Sequence, residues 1–117
     1  MREIIGAAIF KGKKILLVKE GEEWSLPGRF REAGESELES LTKTANSQLS
    51  GVKITAHPFY REFVDSEIKI RIYKLELSGN PRKNKTSETQ WARSFEGITL
   101  GKYSRLIINS LKTERYI

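Results

Sequence analysis

Two short apolar runs constrain this chain most: Ile4 to Phe10, rich in Ile and Ala, and Lys14 to Lys19, carrying Ile15, Leu16, Leu17 and Val18. Neither alternates strictly between apolar and polar residues. A strand wetted on one face alternates, so near-continuous runs belong in a sheet covered on both faces. Lys11-Gly12-Lys13 separates them, and glycine can take the positive φ of a tight hairpin turn. The pattern predicts two antiparallel strands. With 117 residues, one core is affordable, and residues 1–117 are expected to form a single domain.

Downstream, Gly21 to Gly34 holds Trp24, Pro27 and several charges and is expected to be a loop. Ser36 followed by Glu39 forms a capping box: the hydroxyl accepts from the third helical N–H while the carboxylate reaches back to the cap. Leu38, Leu41, Ala45 and Leu49 fall on one helical face, and Ser50-Gly51 supplies a stop, so a helix is predicted over about 37–49. Strands are predicted at Phe59–Val64 and Ile68–Leu77, with a short one near Thr89–Phe95. Within 68–77 the apolar parity shifts from Ile68, Ile70 and Ile72 to Tyr73, Leu75 and Leu77. That shift signals a bulge, or a strand passing from one covered face to another. Leu100 to Leu111 has helical spacing, and residues 78–87 are turn-rich and basic. Strands mixed with two helices indicate an α/β sandwich.

Composition then narrows the chemistry. The absence of cysteine removes disulfides, a thiol nucleophile and cysteine-based zinc sites. With one histidine, any catalytic triad would rest on His57 alone, and a solvated or structural role is expected there. No apolar run approaches the roughly 20 residues of a membrane span and no signal-peptide pattern opens the chain, so a cytoplasmic protein with no membrane partner is expected. The formal charge is +6, but it is unevenly placed. Residues 1–67 hold 10 bases against 11 acids, whereas residues 68–117 hold 11 against 4. A basic surplus favours anionic partners without fixing a fold.

Trp24-Ser25-Leu26-Pro27-Gly28, followed by Glu32, Gly34, Glu35 and a capped helix, resembles the start of a Nudix box, the signature G-x5-E-x7-R-E-U-x-E-E-x-G-U in which U is aliphatic. The resemblance extends over nearly the whole chain and implies a Nudix-like α/β/α sandwich with a mixed sheet. It also implies a pyrophosphohydrolase using Mg2+ or Mn2+. Anchored on Glu35, however, the signature's first glycine is Arg29, its Arg-Glu pair is Lys43-Thr44, and its paired glutamates are Ser47-Gln48. The glutamates that hold the metal in that family are therefore replaced by Thr44, Ser47 and Gln48. Carboxylates at i, i+3 and i+4 share a helix face and suit a hard divalent cation; neutral hydroxyls and amides do not compete for it. Glu35 and Lys43 keep the charges of what the resemblance implies is a brace between loop and helix.

The expectation is a Nudix-like protein with a degenerate box, without standard hydrolysis and without a cofactor. It would bind a nucleotide-like or other phosphorylated ligand, or a macromolecular partner, through Arg29, Arg31, Lys43 and Gln48. Arg29 either clamps a phosphate or is a surface residue. Two alternatives stand beside this reading. One is an active hydrolase of nucleoside diphosphate derivatives, with Glu35, Glu39 and Glu88 as relocated carboxylates and Mg2+ or Mn2+ as cofactor. The other is a nucleic-acid-binding module built on Lys69, Arg71, Arg82, Lys83 and Lys85, with phosphate contacts from the bases and stacking from Tyr60 and Tyr73. Trp24 and Trp91 are expected to anchor the core or a loop.

Overall fold

The computed structural model describes residues 2–80 and 88–117. The first apolar run divides in two. β1 (Arg2–Ala8) enters one sheet, and after Ile9 the chain forms β2 (Phe10–Lys11), which turns back onto β3 (Lys14–Glu20). The predicted hairpin is thus only two residues deep, with Gly12 at its turn at φ +62°. β1 instead pairs in parallel with β8 (Ile68–Lys74), from Arg2↔Ile68 to Ala8↔Lys74. The longer parallel register lets Ile5 and Ala7 enter one core while Ala8 enters the other.

The segment 21–34 is not wholly loop, for it contains β4 (Glu23–Ser25), paired with β3, and β5 (Gly28–Phe30), paired with β1. Strands of three residues leave no periodic signal. Gly28 is required where β5 crosses β1: a Cβ there would stand 3.0 Å from the Ile5 carbonyl oxygen and 3.1 Å from Gly6 Cα. After α1 (Glu37–Gln48) come β6 (Lys53–Ala56), β7 (Phe59–Asp65) and β8. The parity shift is a passage between covered faces, opposite a bulge in β7 between Phe59 and Arg61: Ile70 and Ile72 enter one core, Tyr73 and Leu75 the other. β8 ends at Lys74, and β9 (Glu76–Ser78) pairs with β6, a strand the sequence pattern did not disclose. β10 (Glu88–Ala92) and α2 (Lys102–Thr113) complete the chain.

The strands form a mixed sheet in the order β5-β1-β8-β7, a second sheet β10-β3-β2 with β4 also on β3, and the β6–β9 ribbon. β3 is apolar on both faces because each face meets a different helix. Ile15 and Leu17 pack with Ile107, Ile108 and Leu111 of α2, whereas Leu16 and Val18 pack with Leu41 and Leu49 beside α1. Each such buried side chain contributes about 1.5–3 kcal/mol. The result is an α/β/α sandwich with a mixed sheet, as expected. Two residues on the predicted apolar helix faces are excluded: Leu38, one turn before Leu41, and Leu106 of α2 are each 45% exposed. Among the described residues no helix is long and apolar enough to cross a membrane.

Candidate functional site

The loop before α1 is fastened from both sides. Leu26 and Pro27 are buried, the Leu26 amide donates to Ser104 Oγ of α2 (3.0 Å), and the Ala7 amide donates to the Pro27 carbonyl (2.8 Å). Ser36 caps α1, its hydroxyl accepting from the Glu39 amide at 3.1 Å, which satisfies one of the helix's orphan donors. The fixed start brings Lys43, two turns on, back over Glu35.

Glu35 is the focus of this brace. Its side chain is 3% exposed, and its carboxylate accepts from Lys43 Nζ and from Ser40 Oγ, both at 2.5 Å. Arg29 lies 3.6 Å from Glu35 and 2.7 Å from Glu32, and Lys43 lies 3.6 Å from Glu32. Two cations therefore share two carboxylates. The Lys43 ammonium, then the Ser40 hydroxyl, holds the Glu35 carboxyl down to about 2 from an ordinary 4.5. Reciprocally, the bond to Glu35 raises Lys43 above its ordinary value.

One turn further, the chemistry changes. Thr44 is 1% exposed and its hydroxyl oxygen has no hydrogen-bond partner. Ser47 donates to the Thr44 carbonyl at 3.4 Å. Gln48 is locked against the loop: its Oε1 accepts from the Gly28 amide (3.1 Å), and its Nε2 donates to the Gly28 carbonyl (3.2 Å) and to Glu20 Oε1 (2.8 Å). A magnesium or manganese ion seeks anionic oxygens in an octahedron. These three positions supply neutral ones, and the Gln48 carbonyl is already taken. No three carboxylate or histidine groups gather to hold an ion among the described residues. The donor set does not fit such a metal.

Beside Gln48 opens a cavity of about 460 Å³, with Ile70, Ile72 and Ile107 among its apolar walls and Glu20, Arg29 and Gln48 among its polar ones. Arg29 also lines a shallow polar cleft with Lys43, Asn46 and Ser47. The apolar recess and this cleft thus share Arg29 as a wall.

Of the residues singled out from the sequence, Arg29, Lys43 and Gln48 converge here. Arg31 lies toward Glu3 (3.3 Å) and Glu37 (3.4 Å). Glu35 is engaged in the brace, Glu39 sits exposed in the first turn of α1, and Glu88 begins β10 opposite Lys19. Lys69 and Arg71 lie across from Glu62, at 4.0 and 3.0 Å, and Arg71 also stacks on Phe59 at 4.5 Å. Arg82, Lys83 and Lys85 lie outside the described residues. Trp24 and Trp91 are half-buried against the two cores, and exposed His57 meets the edge of Tyr73. Sequence reasoning missed Glu20, at the end of β3, and Ser104, the hydroxyl that anchors the loop. Neither carries a local signal, because each acquires its role from partners 28 and 78 residues away.

No protein-family model matches the sequence, and no curated protein matches it. Solved structures do. The chain is similar to MutT studied from Aliivibrio salmonicida and Vibrio cholerae, at 16% identity and a TM-score of 0.83, over 97% of this chain and 98% of that one. A Nudix hydrolase family member from Chromobacterium violaceum matches at 17% identity and 0.84, over 98% of this chain and 79% of that one. The C-terminal domain of mouse MUTYH, in its complex with human PCNA, matches at 12% identity and 0.74, over 98% and 90%. The fold is the Nudix fold.

Proposed function

We propose that this protein binds a nucleotide-like, phosphorylated ligand without metal-dependent hydrolysis. The base would occupy the apolar cavity, and the phosphate would lie along Arg29 and Lys43 in the adjoining cleft, in competition with the exposed Glu32 carboxylate that both now pair with. A cavity of about 460 Å³ is of the size that takes a small ligand, with a few polar groups to orient it. The observation that carries the reading is the neutral turn of Thr44, Ser47 and Gln48, its amide bonded to Gly28 and Glu20. Hydrolysing a pyrophosphate requires charge neutralisation at the phosphoryl oxygens and a nucleophile drawn from water. This turn offers neither a metal-binding carboxylate nor a base.

Calorimetric titration with nucleoside mono-, di- and triphosphates, with and without magnesium, tests the proposal. Binding that magnesium does not alter, without product formation, is the expected result. Magnesium-dependent turnover that disappears in Glu35→Gln or Glu88→Gln would overturn it in favour of a hydrolase with relocated carboxylates. The likeness to the MUTYH domain in complex with PCNA supports a second reading, a scaffold for a protein partner. That reading predicts no nucleotide binding even at millimolar concentration.

A further inference from the structure

β7 ends the sheet order β5-β1-β8-β7, so one edge pairs with β8 and, among the described residues, no strand pairs with the other. The β7–β8 turn is two residues long, Ser66 and Glu67, with Ser66 at φ +55°. Such a turn closes on a hydrogen-bonded pair, here Asp65↔Ile68, and bonded pairs alternate along an antiparallel ladder. Arg61, Phe63 and Asp65 therefore bond inward to β8, while Glu62 and Val64 turn their N–H and C=O groups outward. An open edge of this kind is a template for another strand.

The side chains beside that edge are ordered by charge. At one end Lys102, the first residue of α2, bonds Asp65 at 3.0 Å; at the other Glu114, the cap of α2, pairs with Arg61. The helix thus runs along the strand. Leu106 lies one turn after Lys102 on the stripe that leads to Glu114, and it is 45% exposed. Phe63, midway between Arg61 and Asp65, packs on the core beneath α2. The patch has an apolar middle and, at its two strand ends, opposite charges.

We infer that the β7 edge joins a second copy of this chain, antiparallel and centred on Phe63, into one continuous sheet. β7 has seven residues, so two-fold centres at Arg61, Glu62 and Phe63 are the ones that pair at least five of them. The first two set Arg61 against Arg61 or Glu62 against Glu62, and like charges directly opposite destabilise a sheet. Centring on Phe63 sets Arg61 against Asp65 of the second copy, twice over. It also sets Glu62 against Val64, the residues whose backbone groups point outward. Charge then alternates from Glu114 through Arg61 to Asp65 and Lys102 of the second copy. The two α2 helices come side by side with opposed dipoles, Leu106 toward Leu106. Such an interface is isologous. An unrelated peptide would meet the edge's hydrogen bonds but not both charged ends.

The test is sedimentation equilibrium of the intact chain from about 1 µM to about 1 mM, a span that covers weak self-association. The mass should rise with concentration from 13.4 kDa toward twice that value. Val64→Pro removes an outward N–H and spares the β8 ladder, as edge strands tolerate; Leu106→Glu charges an exposed position. Each should weaken association at least about 10-fold, the loss typical of a central contact, without lowering the thermal midpoint of the dilute chain. A single mass of 13.4 kDa throughout would overturn the inference, as would a dimer indifferent to both substitutions. The chain has no cysteine, so introduced thiols report the register. Mixed and oxidised, Glu62→Cys and Val64→Cys chains should cross-link to each other in preference to themselves. Self-linked Glu62→Cys would overturn the Phe63 centre.

Discussion

Two successive turns of α1 face the same loop with opposite chemistry. The turn bearing Ser40 and Lys43 meets Glu35 in a compact set of charges, each with a partner. The turn bearing Thr44, Ser47 and Gln48 is neutral, with one buried hydroxyl unpaired and one amide bonded on both sides. The first turn has the chemistry of a fastening, with charges matched inside the protein. The second has the chemistry of a lining, holding its position without presenting charge. A scaffold can thus retain the electrostatics that fix its shape while its adjacent surface lacks the charge that metal chemistry demands.

The largest effect should come from breaking the fastening. Glu35→Ala strands Lys43 and Arg29 and deprives Ser40 of its acceptor, and it should lower the thermal midpoint more than any other change considered below. The same residue sets an acid limb. Its carboxyl is depressed from 4.5 to about 2 in the folded state, so its contribution is complete above pH 4.5 and is lost as pH falls toward 2. Midpoints recorded across that window should fall in the wild type and flatten in Glu35→Gln; parallel profiles would show that the brace is not the acid-sensitive element.

Next in size is Gln48→Glu. It replaces a donor to the Gly28 carbonyl by a charge and sets that charge beside Glu20, so urea denaturation should register a loss of about 2 kcal/mol. An unchanged midpoint would mean that the amide does not lock the loop. Thr44→Val should act in the other direction. Removing an unpaired buried hydroxyl at nearly constant shape should stabilise by about 1 kcal/mol, and a loss instead would reveal a partner for that oxygen. The smallest change is Ser36→Ala, worth about 0.5–1 kcal/mol because the cap is exposed; chemical denaturation resolves it.

What was legible in the sequence was what is encoded locally. The α1 cap lies within Ser36 and Glu39, and the two-faced burial of β3 lies within four consecutive apolar residues. The brace was legible because Glu35 and Lys43 occupy recognisable positions of a spaced signature. β4 and β5 were not, since three residues set no period, and β6 acquires its strand character only from β9. Leu38 fits the apolar stripe of α1 and is nevertheless exposed, because periodicity gives direction but not where the covering sheet ends. The cavity was the least legible feature, for Glu20, Gly28 and Gln48 come together only after the loop has folded across β1.

The parallel register of β1 on β8 also sets a timetable. Arg2 pairs with Ile68, 66 residues later, whereas the other edge of β1 is taken by β5 after fewer than thirty. At about 5–20 residues per second, a ribosome needs roughly 3–13 s to make that intervening stretch. During that interval an apolar strand of the nascent chain keeps an open hydrogen-bonding edge. Long-range pairing of this kind folds slowly. Chaperone dependence during synthesis should therefore track the 4–9 segment more than the loop and helix that form the site.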